Sequence, residues 1–343
     1  MMKTLQNTLY ILQEDVKLHL DRENLVIKST KDNSEISRYP LHNLESIVSF
    51  SYSGATPKLI HKCIKENISL NFITPQGKFL GRIIGETNGN VLLRREHYRK
   101  SDNLEIQLYL SKQFIKAKFQ NSIFFLKRFY NSHFNDKIKI TINNLEELIS
   151  QLNNIDNRFQ LLGLEGYFAK EYFSVFNELI LQQKDVFNFN QGRTKNPPKD
   201  FINCLLSLGY SLLVKECSSA LESVGLDSYV GFLHSDVSGR HSLAFDLIEE
   251  FRTFLVDRFV ISLINLNQIN LSDFEIINKE EIKLTSSGLK KFLTLWTKNK
   301  QKEIFHSEFQ EKIKIGLLPY VQSMLLARYI RGDINNYNSF IWK

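Results

Sequence analysis

The sequence predicts an α+β protein in which a small β-rich N-terminal domain is followed by a larger all-α domain. Over residues 1–95, short runs of alternating or β-branched residues are separated by Asp, Asn, Gly and Pro, which is typical of strands joined by turns. From residue 101 onward the apolar residues recur at the helical period. Because 343 residues suffice for two domains, we expect one domain at 1–95 and a second at 101–343.

The strands predicted in the N-terminal domain have the sequences TLYIL, VKLHL, NLVIKS, SIVSF, ISLNFIT, KFLGRIIG and VLLR. One helix interrupts them at residues 57–67, because Leu59, Cys63 and their neighbours form an apolar stripe and Pro57 suits a first helical turn. Hairpin turns are predicted at 75–77 and 88–90 from their Gly, Asn and Pro content.

The C-terminal domain is predicted to consist of successive helices. They are expected at 104–129, in a short segment capped by Asn143 or Asn144, at 158–182, at 201–225 with Asp200 as the cap, at 242–266, and around 289–296 and 304–330. The helix at 104–129 interleaves lysines with aromatic residues, a pattern that can grip nucleic acid. Aromatic residues in the core with lysines in water explain the same pattern and are the favoured interpretation.

The charge and the cysteine content exclude several classes of protein. The chain has 44 Lys and Arg against 37 Asp and Glu, and the net charge of +7 is compatible with an acidic polymer as partner. Three cysteines without CxxC spacing support neither a disulfide framework nor a zinc knuckle. No signal-like N-terminus and no apolar run of about 18 residues is present. We therefore expect a cytoplasmic protein without a membrane partner.

The stretch at residues 231–252 combines a loop histidine with a carboxylate cluster. Gly231 and Gly239 indicate a loop around His234, and a helix that begins near Ser242 follows it. On this helix lie Asp246, Glu249 and Glu250, spaced so that at least two carboxylates point the same way. Such a pair repels unless a cation lies between its members, and this cation could be a lysine, screening salt or a divalent metal. Among metals, oxygen ligands with one imidazole suit Mn²⁺ or Mg²⁺. An ordinary solvated helix face is the competing interpretation.

Glu165 is the candidate for a further carboxylate ligand. Its neighbours Leu161, Leu164 and Phe168 predict that it is partly buried, where a charge needs a partner. Gly163 and Gly166 flank it within a helix, where each costs about 1 kcal/mol against alanine. We therefore expect another group, from the protein or from a ligand, to come close to the helix backbone at these glycines.

A basic loop at residues 188–200 precedes the helix capped by Asp200. Arg193, Lys195 and Lys199 place three positive charges beside a stiff double proline. A phosphate backbone could run along such a loop. A structural linker explains the same composition.

Taken in order, these blocks resemble one known family. A β-rich N-terminal domain, LLGLEGYFAKEYF, NPPKDFINCLLSLGYSLL and GFLHSDVSGRHSLAFDLIEEFR are similar to the larger, catalytic subunit of the CRISPR spacer-acquisition integrase. The resemblance covers nearly the whole chain. It implies that Glu165, His234 and Glu249 are catalytic and coordinate a divalent ion, Mg²⁺ or Mn²⁺, with Asp246 as a further candidate ligand.

The resemblance also implies an activity and an assembly. Family members join short DNA fragments to a repeat array by transesterification, and they cleave DNA when water replaces the 3'-hydroxyl. They work as homodimers, with 1–95 as the expected dimerisation domain here, and they are bridged by the smaller acquisition subunit. Two alternatives remain at this point: a metal-dependent nuclease that acts alone, and a catalytically silent DNA-binding scaffold.

Overall fold

A computed structural model describes residues 7–73, 79–83, 91–189, 192–194, 197–278 and 281–342. By its internal contacts the chain divides into two compact units. The first comprises Met1–Asn88 with Lys290–Ile304 and Lys312–Leu317, and the second comprises Gly89–Leu289 with Phe305–Glu311 and Leu318–Lys343.

The first unit is built on two sheets. Its strands are β1 Asn7–Ile11, β2 Val16–Asp21, β3 Asn24–Ser29, β4 Glu35–Pro40, β5 Leu44–Ser49, β6 Ser69–Ile73 and β7 Phe79–Ile83. One sheet has the order β1-β5-β6-β7 and the other is the antiparallel meander β2-β3-β4. Helix α1, Pro57–Lys65, lies where the sequence predicted a helix, and it makes the crossover between the parallel strands β5 and β6.

Two features of this unit differ from the predictions. The sequence did not predict β4, because five of its six residues are exposed and it lacks apolar alternation. The predicted strand VLLR is wrong, because these residues begin helix α2, Val91–Ser101, in which the buried residues Leu93, His97 and Ser101 are spaced by four. The turns predicted at 75–77 and 88–90 lie outside the described residues.

Helices dominate the rest of the chain. They are α3 Leu104–Ser132, α4 Asp136–Ser150, α5 Arg158–Ser174, α6 Phe201–Ser223, α7 Ser242–Ile248, α8 Arg258–Asn265, α9 Ser286–Lys300 and α10 Leu318–Arg331. Short strand pairs occur at β8 Phe274–Asn278 with β9 Glu281–Leu284, and at β10 Glu303–His306 with β11 Glu311–Lys314. The predicted fold class, a β-rich N-terminal region followed by a larger helical region, is confirmed.

Polar caps set where several helices begin. Asn103 accepts hydrogen bonds from two backbone amides at the start of α3, and Asp200 caps α6 as predicted by accepting from the Asn203 amide. The predicted cap at Asn143 or Asn144 is wrong, because Asn135 caps a longer α4. Helix α5 ends at Ser174 and a 3₁₀ turn follows it, so the prediction for 158–182 is too long.

The helix predicted for residues 242–266 is interrupted. A π-helical turn at Arg252–Asp257 separates α7 from α8, and π turns inside helices frequently occur at functional sites. Helix α3 packs against this turn and against α4, α5 and α7, so the long helix forms the centre of the second unit. None of the helices described is long and apolar enough to cross a membrane.

Candidate functional site

Glu165, His234 and Glu249 line one cavity in the second unit. Its volume is about 760 Å³, and each of the three residues reaches it from a different segment. Glu165 comes from α5, His234 from the loop before α7, and Glu249 from the residue that follows α7. The fold thus brings together three side chains that the sequence singled out separately.

Lys118 lies between the two glutamates. Its ammonium donates a hydrogen bond to Glu165 and lies 2.8 Å from Oε2 of Glu249. The exposed fractions of the three side chains are 12% for Lys118, 24% for Glu165 and 4% for Glu249. Burial disfavours the charged form of Lys118, but the two carboxylates outweigh this effect and raise its pKa.

Arg252 gives Glu249 a second cationic partner. Its Nε donates a hydrogen bond to Oε1 of Glu249 at 2.8 Å. Burial opposes the ionisation of Glu249, but the positive charges of Arg252 and Lys118 outweigh it and lower the pKa of Glu249 to about 2. This carboxylate is therefore ionised throughout the physiological range.

Asp246 holds the loop that carries His234. Its carboxylate is fully buried and accepts hydrogen bonds from the backbone amides of Phe232 at 2.6 Å, Leu233 at 2.9 Å and His234 at 2.9 Å. It also lies 2.7 Å from Nδ1 of His234. A carboxylate at Nδ1 favours the proton on that nitrogen and leaves Nε2 as the free acceptor. These four contacts place Asp246 behind the histidine, and Asp246 does not line the cavity.

The loop around His234 is closely packed. A Cβ on Gly231 would lie 2.8 Å from the backbone oxygen of His234 and 2.9 Å from Cβ of Ser242, so only glycine fits at this position. His97, fully buried on α2, contacts the carbonyl of Val230 through Nε2 at 3.0 Å. Helix α2 therefore contacts the start of the same loop.

A polar cluster forms another wall of the cavity. Asp257, 2% exposed, accepts a hydrogen bond from the Tyr172 hydroxyl at 3.0 Å and a second from the Tyr210 hydroxyl. Burial raises the pKa of Asp257 to about 6, since the two hydroxyl groups offset it only in part. The guanidinium groups of Arg252 and Arg193 lie 4.8 and 5.3 Å from the Tyr210 ring centre.

The residues of the predicted basic loop have different surroundings. Arg193 is half-buried, lines the cavity, and donates hydrogen bonds to Oδ1 of Asn203 at 2.6 Å and to Oγ of Ser207 at 3.1 Å. Lys199 is exposed. Lys195 lies outside the described residues. A DNA contact by any of the three remains a prediction.

The residues present fit a divalent cation in chemical type. Two carboxylates and an imidazole are ligands that Mg²⁺ and Mn²⁺ accept, and the ammonium of Lys118 already occupies a cation position between the carboxylates. Among the described residues, no three His, Cys, Asp or Glu side chains are gathered into a preformed metal cluster. The ligand roles of Glu165, His234, Glu249 and Asp246 therefore remain predictions.

Sequence reasoning did not identify Lys118 or Arg252 as the cations that pair with these carboxylates. A signal for Lys118 was available, because it is spaced by three and four from Phe114, Ile115, Asn121 and Ser122, which are all buried residues of α3. This spacing puts the lysine on the buried stripe of the helix, unlike the exposed Lys116 and Lys127. No comparable signal exists for Arg252, because the π-helical turn changes the residue spacing that decides which side chains lie on the same face of the helix.

The fold and the cavity together define a class of protein. A helical unit with two carboxylates, an imidazole and several cationic side chains in one cavity is suited to phosphodiester chemistry on a nucleic acid. A family model described as CRISPR associated protein Cas1 matches residues 9–298. The chain belongs to the Cas1 family.

Relatives with this family name match the chain over its full length. It is 39% identical to CRISPR-associated endonuclease Cas1 1 of Chlorobaculum tepidum over 346 residues, which cover 100% of both chains. It is 38% identical to CRISPR-associated endonuclease Cas1 2 of Rhodospirillum rubrum over 350 residues, again with 100% of both covered.

Solved structures share the fold. A casposase bound to its integration product superposes with a TM-score of 0.82 at 26% identity, covering 97% of this chain and 93% of that one. A Cas1 protein from Thermotoga maritima gives a TM-score of 0.82 at 22% identity, covering 95% and 97%. Family membership confirms the predicted resemblance and the prediction of a CRISPR-adaptation integrase and endonuclease. Neither alternative, a stand-alone nuclease or a silent scaffold, is favoured.

Proposed function

We propose that the chain is a metal-dependent catalytic subunit of CRISPR spacer acquisition that joins short DNA fragments to a repeat array. The observation that carries this proposal is the cavity in which Glu165, His234 and Glu249 meet from three segments. Two carboxylates, one of them 4% exposed, and an imidazole line this cavity, and this set of side chains suits a divalent ion.

The proposed reaction is a transesterification. The 3'-hydroxyl of the fragment loses its proton as its oxygen forms a bond to phosphorus of the repeat backbone. The bond from phosphorus to the leaving sugar oxygen breaks, and that oxygen takes up a proton. With water in place of the hydroxyl, the same site hydrolyses DNA. A bound Mg²⁺ or Mn²⁺ would supply positive charge beside the phosphoryl oxygens.

The residues of the chain prepare the site for this reaction. Glu165 and Glu249 supply the negative charge that holds the ion. His234, fixed by Asp246 through Nδ1, would offer Nε2 as a ligand to the ion. Arg252 holds Glu249 in place. Correct positioning of the two DNA strands would contribute further to the rate enhancement.

The partners are proposed from the relatives. A casposase was solved with an integration product, and solved complexes that share the fold are described as Cas6-RT-Cas1–Cas2 complexes. We propose that this chain binds a DNA fragment and the repeat array in the cytoplasm. It would form a homodimer through residues 1–95 and assemble with the smaller acquisition subunit.

A strand-joining assay tests the proposed function. A labelled fragment and a repeat-containing plasmid are incubated with the chain, with and without the smaller subunit, in Mn²⁺ or in EDTA. We expect joined product that needs the metal and increases with the smaller subunit. If the chain cleaves DNA equally well with and without the smaller subunit and joins no strands, it is a stand-alone nuclease. Absence of both activities in a folded protein that binds DNA would point to a scaffold.

A further inference from the structure

Lys118 occupies the position between Glu165 and Glu249 that the proposed function assigns to a divalent ion. The ammonium contacts both carboxylates, one from α5 and one from the end of α7, while its own backbone belongs to α3. All three side chains line the same cavity. The lysine is therefore a cation that the chain itself places at the site.

The charges require such a cation when no metal is bound. Two carboxylates that are 24% and 4% exposed repel each other and are poorly solvated. A lysine suits a replaceable cation, because its ammonium is a point charge on a flexible four-carbon stem. Arg252 is different, since its guanidinium is held by Glu249 and lies over the Tyr210 ring. Arg252 is thus the fixed partner of Glu249, and Lys118 is the partner that can leave.

We propose that Lys118 is a displaceable internal counter-ion, which neutralises Glu165 and Glu249 in the metal-free protein and leaves their shared position when a divalent cation binds. This inference rests on the proposed function, because it requires the metal site. Metal binding is then an exchange of one cation for another. The lysine lowers the apparent affinity of the site for metal, because only the fraction of molecules with the lysine displaced can bind it.

Calorimetric titration with Mn²⁺ alone tests the exchange. The parent is compared with Lys118→Met, which keeps the length of the side chain without its charge. The matched control is Lys170→Met, because Lys170 lines the same cavity from α5 but is exposed. We expect Lys118→Met to bind Mn²⁺ about tenfold more tightly than the parent, with a larger rise in Tm on Mn²⁺ addition. The control should change the affinity by much less.

The outcomes separate this inference from the proposed metal site. Equal affinities in the parent and in Lys118→Met, or weaker binding in the variant, would overturn the exchange and leave the metal site intact. An equal gain in Lys170→Met would also overturn it, because the effect would then be one of overall charge. Mn²⁺ binding by neither the parent nor the variants would overturn the metal site itself.

Chemical labelling of the parent gives a second test that does not depend on folding of Lys118→Met. Lysine acylation is quantified by mass spectrometry with and without Mn²⁺. In the metal-free protein the side chain of Lys118 is 12% exposed and paired with carboxylates, so we expect slow labelling. Release by Mn²⁺ should raise the labelling of Lys118 severalfold, with Lys170 as the internal reference. Labelling of Lys118 that stays constant or falls would contradict displacement.

Discussion

At the scale of single residues, Glu249 combines a stabilising role with the proposed catalytic one. Its carboxylate is 4% exposed and contacts both Lys118 and Arg252. We predict that Glu249→Gln lowers the free energy of unfolding of the metal-free protein by about 3 kcal/mol, because Arg252 loses its carboxylate partner and Lys118 loses one of its two. Urea unfolding checks this value. Glu146→Gln is the control, since Glu146 pairs with Lys127 on the surface, and its loss should cost about 1 kcal/mol or less.

The effect of Glu249→Gln should depend on pH in one direction. The folded pKa of Glu249 is about 2, against 4.5 for the unfolded chain. Its ionisation therefore stabilises the fold fully above about pH 4.5, and this stabilisation is lost as the pH falls toward 2. The difference in stability between the parent and Glu249→Gln should narrow over that range. A difference that stays constant from pH 6 to pH 3 would show that the ion pairs do not cause it.

Asp246 is a positioning residue for His234. We predict that Asp246→Asn lowers the free energy of unfolding by about 2–3 kcal/mol, because an amide nitrogen would face backbone donors that now bond to a carboxylate. Mn²⁺ affinity, measured by titration well below the Tm of the variant, should fall about tenfold with the loss of the oriented imidazole. Parental Mn²⁺ affinity in a destabilised Asp246→Asn protein would limit Asp246 to a structural role.

At the scale of elements, two glycines near the site have opposite roles. A Cβ on Gly163 in α5 would meet no described atom within 4 Å, whereas one on Gly231 would overlap the His234 carbonyl. We predict that Gly163→Ala raises the free energy of unfolding by about 1 kcal/mol through helix propensity. Gly231→Ala should lower it by about 1–3 kcal/mol. Thermal unfolding of both variants checks the two predictions. Equal changes in stability would refute the opposite roles of the two glycines.

The apolar periodicity of the sequence predicted the helices better than it predicted where a helix is interrupted. Helix α3 was predictable because Phe114, Phe119 and other apolar residues recur at the helical period over its whole length. The π-helical turn at Arg252–Asp257 was not, because its apolar residues Phe254, Leu255 and Val256 continue the helical pattern. The approach to the helix backbone expected at Gly163 has no counterpart among the described residues.

At the scale of the whole molecule, the family resemblance pointed to three residues that line one cavity, but not to the cations that pair with two of them. Glu165, His234 and Glu249 each lie within a short contiguous sequence motif, which can be recognised without the structure. Their pairing with Lys118 and Arg252 depends on how α3, α5 and the turn after α7 pack together. The buried C-terminal Tyr337, whose hydroxyl donates to Glu250 at 2.5 Å, was missed for the same reason.

The salt dependence of DNA affinity should show whether the basic loop at residues 188–200 contacts the phosphate backbone. We predict that Lys199→Ala weakens DNA binding for all sequences and reduces the slope of log K against log salt by about 0.9, as the loss of one phosphate contact does. Lys199 suits this test because it is exposed, whereas Arg193 has internal partners. Lys31→Ala in the N-terminal unit removes the same charge and should leave the slope unchanged. An unchanged slope in Lys199→Ala would favour the structural linker.

Glu165, His234 and Glu249 are proposed to form one divalent-ion site. Anomalous diffraction from crystals soaked in Mn²⁺ tests it most directly, because the ion is located without reference to activity. We predict a single strong peak within about 2.5 Å of all three side chains, with the Lys118 ammonium withdrawn from the glutamates. A peak held by other residues, or no peak while Lys118 still bridges Glu165 and Glu249, would contradict the account.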